Sequence, residues 1–179
     1  MSLVDDLRLL TAAGNNEYSA GDNTYWSDSQ LQATLNRHRR LMDFQPLEWY
    51  PRTFGGGSVE YKRAFIGSNW QVEPNAGTVQ DGQGGTVSGW TLDADGWMNF
   101  TADTAGSAYY YTGYVYNLHA AAADVCTAWA SALKGQVDVT SDDQSLKLSQ
   151  KRTSLLDMAR EFRRRSPLST GDMSRGDAR

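Results

Sequence analysis

The sequence is poor in the residues that most often build disulfides and metal sites. Its 179 residues include one cysteine, Cys126, and two histidines, His38 and His119. A single cysteine cannot form an internal disulfide, and such usage is typical of proteins made in a reducing cytosol. Neither histidine has another histidine or a cysteine at ligand spacing, so we predict no metal site.

Long apolar runs are also lacking. No window approaches the roughly 18 consecutive apolar residues that a membrane span requires. The N-terminal segment MSLVDDLRLL is acidic where a signal peptide would be basic, and it lacks a small-residue cleavage site. We therefore expect neither membrane insertion nor a secretion signal.

Motifs for catalysis are sparse as well. The cluster Asp93–Gly96 resembles part of a calcium loop, but Ala102 stands where the final acidic ligand would be. The glycine runs GGGS and GQGG lack the Lys-Ser/Thr pair of a phosphate-binding loop. Cys126 lies on the apolar face of a predicted helix, which is typical of a buried small residue. We predict no catalytic residue and no cofactor, and hence a protein that is not an enzyme.

Charge is distributed unevenly along the chain. From Lys147 to Arg179 there are nine Lys/Arg against four Asp/Glu, whereas the preceding residues hold eight against 17. Such polarity indicates that the two ends of the chain meet different surfaces.

The N-terminal part has the signals of two helices. Leu3, Leu7 and Leu10 recur at helical spacing. Ser27 with Gln30 three residues later fits a capping box, which predicts a second helix from about Asp28 to Arg40.

The middle part, from Phe44 to Gly106, changes to short alternating segments rich in glycine and proline. It predicts one hairpin around Gly55–Gly57 and another around Asp93–Gly96. NWQVEP supplies one more strand, and NAGTVQDGQGG is expected to be a loop. The result is an antiparallel β unit of about four or five strands.

The C-terminal part, Tyr109–Arg165, is interpreted as two helices joined by a polar link. Apolar residues keep a period close to 3.6 from Val115 to Leu133, and a second stripe ends at Phe162 before the cluster Arg163–Arg165. The predicted fold class is α+β: a small bundle of about four helices, interrupted by an inserted antiparallel β unit and followed by a flexible C-terminal tail. The predicted divisions are residues 1–43 and 107–165 for the bundle, 44–106 for the β-rich subdomain and 166–179 for the tail.

Two binding hypotheses arise from the residues alone. Tryptophans of the β unit could stack on sugar rings, which favours a carbohydrate-binding accessory module. The arginine-rich end could bind a phosphate backbone or an acidic groove on a protein, or it could simply face solvent.

The order of four segments resembles the head–tail adaptor proteins of tailed bacteriophages, also called head-completion or connector proteins. The segments are SLVDDLRLLTA, YWSDSQLQATLNRHR, YYYTGYVYNLHAAAADVCTAWA and SLKLSQKRTSLLDMAREFRRR. They cover Ser2–Arg40 and Tyr109–Arg165. The β insertion departs from the compact members of that family.

The resemblance implies a structural virion protein, made in the host cytoplasm, that forms a dodecameric ring on the portal vertex of a DNA-filled capsid. Its implied partners are the portal protein, neighbouring adaptor subunits, a tail or stopper protein, and double-stranded DNA passing through the channel. The residues expected to dock on the portal or another partner are Arg160, Phe162, Arg163, Arg164, Arg165, Pro167 and Leu168. The expected contact surface of the insertion consists of Trp49, Trp70, Trp90 and Trp97.

Overall fold

The residues that the structure describes include four α-helices, two before the large sheets in the sequence and two after them. The computed structural model describes residues 2–13, 18–20, 23–134, 139–141, 144–146 and 148–166. The helices are α1 (Leu3–Thr11), α2 (Asp28–Arg37), α3 (Leu118–Ala132) and α4 (Leu148–Arg165). The predicted capping box is confirmed, since the Ser27 backbone N–H donates to Gln30 Oε1 at 3.0 Å and the Gln30 N–H donates to Ser27 Oγ.

Short antiparallel strands make up about half of the remaining described residues, so the protein is α+β as expected. In chain order they are β1 (Tyr18–Ala20), β2 (Asn23–Tyr25), β3 (Arg39–Pro46), β4 (Glu48–Trp49), β5 (Arg52–Thr53), β6 (Val59–Glu60), β7 (Arg63–Phe65), β8 (Gln71–Val72), β9 (Thr78–Asp81), β10 (Trp90–Leu92), β11 (Trp97–Phe100), β12 (Tyr109–Tyr116), β13 (Val139–Ser141) and β14 (Gln144–Leu146).

Two sheets of four strands form the β part. The first has the order β10-β11-β7-β4. In the second, β12 is central, with β3 on one side and both β8 and β9 on the other. The three remaining pairs are hairpins, of which β5–β6 encloses Gly55–Gly57 as predicted. The predicted hairpin at Asp93–Gly96 is also present, and Gly96 supplies the positive φ of 84° that its turn requires.

The prediction of a helix across Tyr109–Tyr116 is wrong, because this segment is the strand β12. Its side chains alternate: Tyr111, Gly113 and Val115 are buried, and the residues between them are more exposed. Tyrosine and valine favour strands. The helix begins only after Asn117, whose side-chain Oδ1 accepts a hydrogen bond from the Ala120 N–H at 3.0 Å. The sequence prediction began the helix too early because Val115 fits the 3.6-residue spacing of the apolar residues in α3.

Two further predictions need correction. The segment expected to be a loop contains β9, whose residues pair with Tyr109–Thr112 of β12. Helix α2 ends at Arg37, before the predicted Arg40, and β3 begins at Arg39. Strands β3 and β12 thus belong to the second sheet. Most of β3 and all of β12 lie in the segments 1–43 and 107–165, which were predicted to form the helical bundle.

A bulge interrupts the pairing of β3 with β12. Gly113 pairs with Met42 and Tyr111 with Gln45, so two residues of β3, Asp43 and Phe44, stand against one residue of β12. Phe44 has a positive φ of 48°, and its N–H donates to Thr112 Oγ1 at 3.0 Å. The bulge directs the Phe44 ring onto Tyr110, with ring centroids 4.1 Å apart.

Buried apolar side chains form two cores. All four helices share the first, which includes Leu3, Leu7, Leu31, Leu35, Val125, Trp129, Leu155 and Phe162. The two sheets enclose the second, which includes Ala64, Ile66, Val72, Val79, Leu92, Met98, Tyr111 and Val115. The chain crosses between the cores at two single residues, His38 and Asn117, and the Asn117 N–H donates to the His38 carbonyl at 2.9 Å. The two crossings therefore lie side by side.

Candidate functional site

The C-terminal end of α4 lies where the helices meet the second sheet. Asn117, between β12 and α3, is 6% exposed and donates from Nδ2 to Ser166 Oγ at 2.7 Å. This bond holds the end of α4 beside the first turn of α3. The arginine-rich segment is therefore positioned by tertiary contact and not by its own helix alone.

Arginine side chains crowd the surface of this helix end. Arg160 pairs with Asp157 at 2.6 Å, and Arg165 pairs with Glu161 on the same helix. Nη2 of Arg163 lies 3.3 Å from Thr127 Oγ1 on α3. Arg164 is exposed. Exposed pairs of this kind contribute little to stability, so the guanidinium groups are available to a partner.

The other predicted docking residues differ from the four arginines. Phe162 is only 8% exposed, belongs to the helical core and stacks against His119 with ring centroids 6.1 Å apart. It cannot meet a partner without opening that core. Pro167 and Leu168, like the predicted tail, lie outside the described residues.

A cavity of about 410 Å³ adjoins the helix end; we call it the junction cavity. Its lining includes Phe65, Trp70, Gln71, Trp97, His119 and Arg165. These residues come from β7, the start of β8, β11, the first turn of α3 and the last residue of α4. The structure thus brings Trp70, Trp97 and Arg165 together, although they were assigned from the sequence to two separate surfaces.

The remaining tryptophans of the predicted contact surface lie elsewhere. Trp49 donates from Nε1 to the Ser107 carbonyl at 2.9 Å, and its ring packs against Phe100. Trp90 donates to the Val87 carbonyl at 3.0 Å. Both are half-buried against the β core. They do not form a continuous tryptophan surface with Trp70 and Trp97 around the junction cavity.

The electrostatics of the junction cavity are nearly balanced. Asp95, in the turn before β11, and Arg165 also line it. Burial, and secondarily the charge of Arg165, lowers the pKa of His119 below its ordinary value, which keeps the imidazole neutral at physiological pH. The cavity therefore presents one carboxylate and one guanidinium around mostly uncharged groups.

Candidate groups for catalysis are dispersed in the part of the chain that the structure describes. His38 Nε2 lies 2.8 Å from Asp124 Oδ2 and contacts no nucleophile. Cys126 is fully buried, and burial raises the pKa of its thiol to about 11, which disfavours the reactive thiolate. No cluster of three or more His, Cys, Asp and Glu that could hold a metal occurs among these residues. Among them too, no helix is long and apolar enough to cross a bilayer.

A second exposed surface lies on the sheet. Leu41 of β3 is 50% exposed and faces Tyr114 of β12, which is 43% exposed; Phe44 is 45% exposed. The Arg39 guanidinium lies 4.5 Å from the centroid of the Tyr114 ring. Contiguous exposed apolar groups of this kind mark contact surfaces more often than isolated ones do.

Sequence reasoning missed Gln71 and His119 as cavity residues. No local pattern could have found them, because the cavity is assembled from segments that are distant in sequence. The comparisons add no relative from which the site could be transferred: no protein-family model, curated protein or solved structure matches the chain.

Proposed function

We propose that the protein is a structural virion component, a head–tail adaptor that forms a ring on the portal vertex and joins the DNA-filled capsid to the tail or the next connector. In this proposal the helices are the adaptor bundle, and the two sheets, which include β3 and β12, are an insertion between α2 and α3. The order of the helical segments, which resembles that family, supports it.

The observation that carries the proposal is the exposed arginine cluster at the end of α4. The side chains of Arg160, Arg163, Arg164 and Arg165 are exposed there, and the bond between Asn117 and Ser166 anchors the end of the helix that carries them. A group of exposed cations on an anchored helix end suits an acidic protein groove, because charge complementarity steers association and fixes its register.

The exposed sheet surface at Leu41, Phe44 and Tyr114 supports the oligomeric part of the proposal. It shares no residue with the arginine cluster, and a subunit of a ring needs one surface for its neighbours and another for the portal. Contacts with neighbours would bury these side chains.

The test is binding to purified portal protein from a tailed phage that encodes this chain, imaged by negative-stain electron microscopy. The double variant Arg163→Glu/Arg164→Glu should weaken binding roughly tenfold or more, because it places like charges against an acidic groove. The matched control Lys134→Glu/Arg152→Glu makes the same change in net charge at exposed positions away from the helix end, and it should bind like the unaltered protein. Equal binding by both double variants would refute docking through this cluster.

A further inference from the structure

The wall of the junction cavity contains two polar groups with unused hydrogen-bonding capacity. Gln71 Oε1 and His119 Nδ1 are both buried and have no hydrogen-bond partner among the described residues. Buried polar atoms are nearly always paired in native proteins, and an unpaired one needs an explanation. Both residues line the cavity, and the last side-chain torsion of each is soft, so a ligand can be reached by a change in that torsion alone. A ligand with hydroxyl groups would satisfy them.

Aromatic rings form much of the same wall. Trp70, Trp97, Phe65 and Tyr116 line the cavity, and none of the four is fully buried. The faces of such rings carry partial negative charge and attract C–H groups. A pyranose ring presents C–H groups on its faces and hydroxyl groups around its rim. It therefore matches aromatic rings combined with scattered polar groups.

The charges argue for an uncharged ligand. Arg165 is the one cationic residue in the lining, and Asp95 would repel an anion. A phosphate or carboxylate site would be expected to offer several converging cations, which the cavity lacks. Its volume of about 410 Å³ lies within the range of roughly 300–1,000 Å³ that is usual for small-molecule sites.

A second hollow, of about 660 Å³, lies on the other side of four of the same residues, Gln71, Asp95, Leu118 and His119. Leu9 and Pro74 are among its other lining residues.

We propose that the junction cavity binds a neutral saccharide, which stacks on Trp70 and forms hydrogen bonds with Gln71 and His119. This binding activity does not depend on the adaptor function.

The test is isothermal titration calorimetry of the full chain with neutral sugars. The probes are glucose, galactose, N-acetylglucosamine and their β-1,4-linked trimers, with inorganic phosphate as a separate probe. Concentrations reach about 10 mM, about tenfold above a Kd of 1 mM. We expect saturable binding of at least one sugar. The trimers and monomers together distinguish recognition of a polysaccharide segment from recognition of a single unit.

Gln71→Met locates the site. Methionine keeps the length of the side chain and removes the acceptor. Because Gln71 Oε1 has no hydrogen-bond partner in the part of the chain that the structure describes, stability should not fall. Affinity should fall about threefold to tenfold. Gln80→Met is the matched control: Gln80 is another half-buried glutamine, on β9, which pairs with the same strand β12 but lies outside the cavity lining.

A second pair of variants addresses the aromatic wall. Trp70→Leu should reduce affinity at least tenfold, whereas Trp90→Leu, at a half-buried tryptophan outside the cavity, should not. Absence of sugar binding overturns the proposal, as does binding of phosphate alone or binding that is unchanged by Gln71→Met and Trp70→Leu. Portal binding by Gln71→Met should be normal, so failure of this proposal is distinguishable from failure of the adaptor function.

Discussion

Tyr111 fits the β core only because two neighbours lack side chains. It is fully buried, and its hydroxyl donates to the Ala76 carbonyl at 3.2 Å. A Cβ atom on Gly77 would lie 2.6 Å from Tyr111 Cε2, and one on Gly113 would overlap the same ring. Burial raises the pKa of Tyr111 to about 12, so the phenol stays neutral in any ordinary buffer.

Gly77→Ala should therefore be strongly destabilising. Gly77 has a φ of 90°, which costs an L-residue about 1–2 kcal/mol, and the overlap with Tyr111 adds about 1–3 kcal/mol. Gly84→Ala is the control, because its φ of 83° is similar and no heavy atom lies within 4 Å of its Cβ position. In urea unfolding, Gly84→Ala should lower the free energy of unfolding through backbone strain alone. Gly77→Ala should lower it by a clearly larger amount. Equal losses would mean that the Tyr111 ring moves aside without cost.

At the scale of elements, the start of α2 shows how much a local signal can specify. Gln30 Oε1 accepts hydrogen bonds from the N–H groups of Trp26, at 2.6 Å, and Ser27, at 3.0 Å. Both N–H groups lie before the first turn of α2, so no carbonyl of the helix can accept a hydrogen bond from them. All the groups involved lie within a few residues, and this is why the capping box could be predicted from the sequence.

Gln30→Ala should lower the free energy of unfolding by about 1 kcal/mol, because two backbone donors lose their acceptor. Gln32→Ala, on the same helix, removes only a 3.3 Å bond to Asn36 and should be close to neutral. Thermal unfolding of both variants checks the difference. If Gln30→Ala left the free energy of unfolding unchanged, packing of the leucines of α2, and not the capping box, would determine where the helix begins.

Strand β12 shows the opposite case. Its partners are Arg39–Pro46 and Thr78–Asp81, which are distant in sequence, and their hydrogen bonds outweigh the helical spacing that continues into α3. The junction cavity was unpredictable for the same reason. Trp70 and Trp97 are two of the four tryptophans predicted for the contact surface of the insertion, but only the fold brings them beside Arg165.

At the scale of the molecule, the two cores are joined by short connections. Asn117 is the only residue between β12 and α3, and His38 the only one between α2 and β3. Asn117 bonds to His38 and to Ser166 as well. Because each connection is a single residue, unfolding of the β core should disrupt the adjoining ends of α2, α3 and α4.

Met98→Ala, which removes a fully buried side chain from the β core, should cost about 2–5 kcal/mol. Native-state hydrogen exchange should show that amides of α3 lose as much protection as those of β11. Leu35→Ala, in the helical core, is the reciprocal variant and should lower the protection of the β11 amides equally. If either variant affected only its own core, the two parts would unfold independently.

The bulge at Phe44 has a consequence for how copies of the molecule can associate. Strand β3 is an edge strand of the described sheet, and an exposed edge invites another strand to extend the ladder, as in amyloid. Here the edge is interrupted by the additional residue, and it carries Arg39 and Arg40 at one end and Pro46, which has no N–H, at the other. A regular backbone ladder cannot continue past these features. The edge of β3 therefore disfavours the open-ended addition of strands that leads to fibrils.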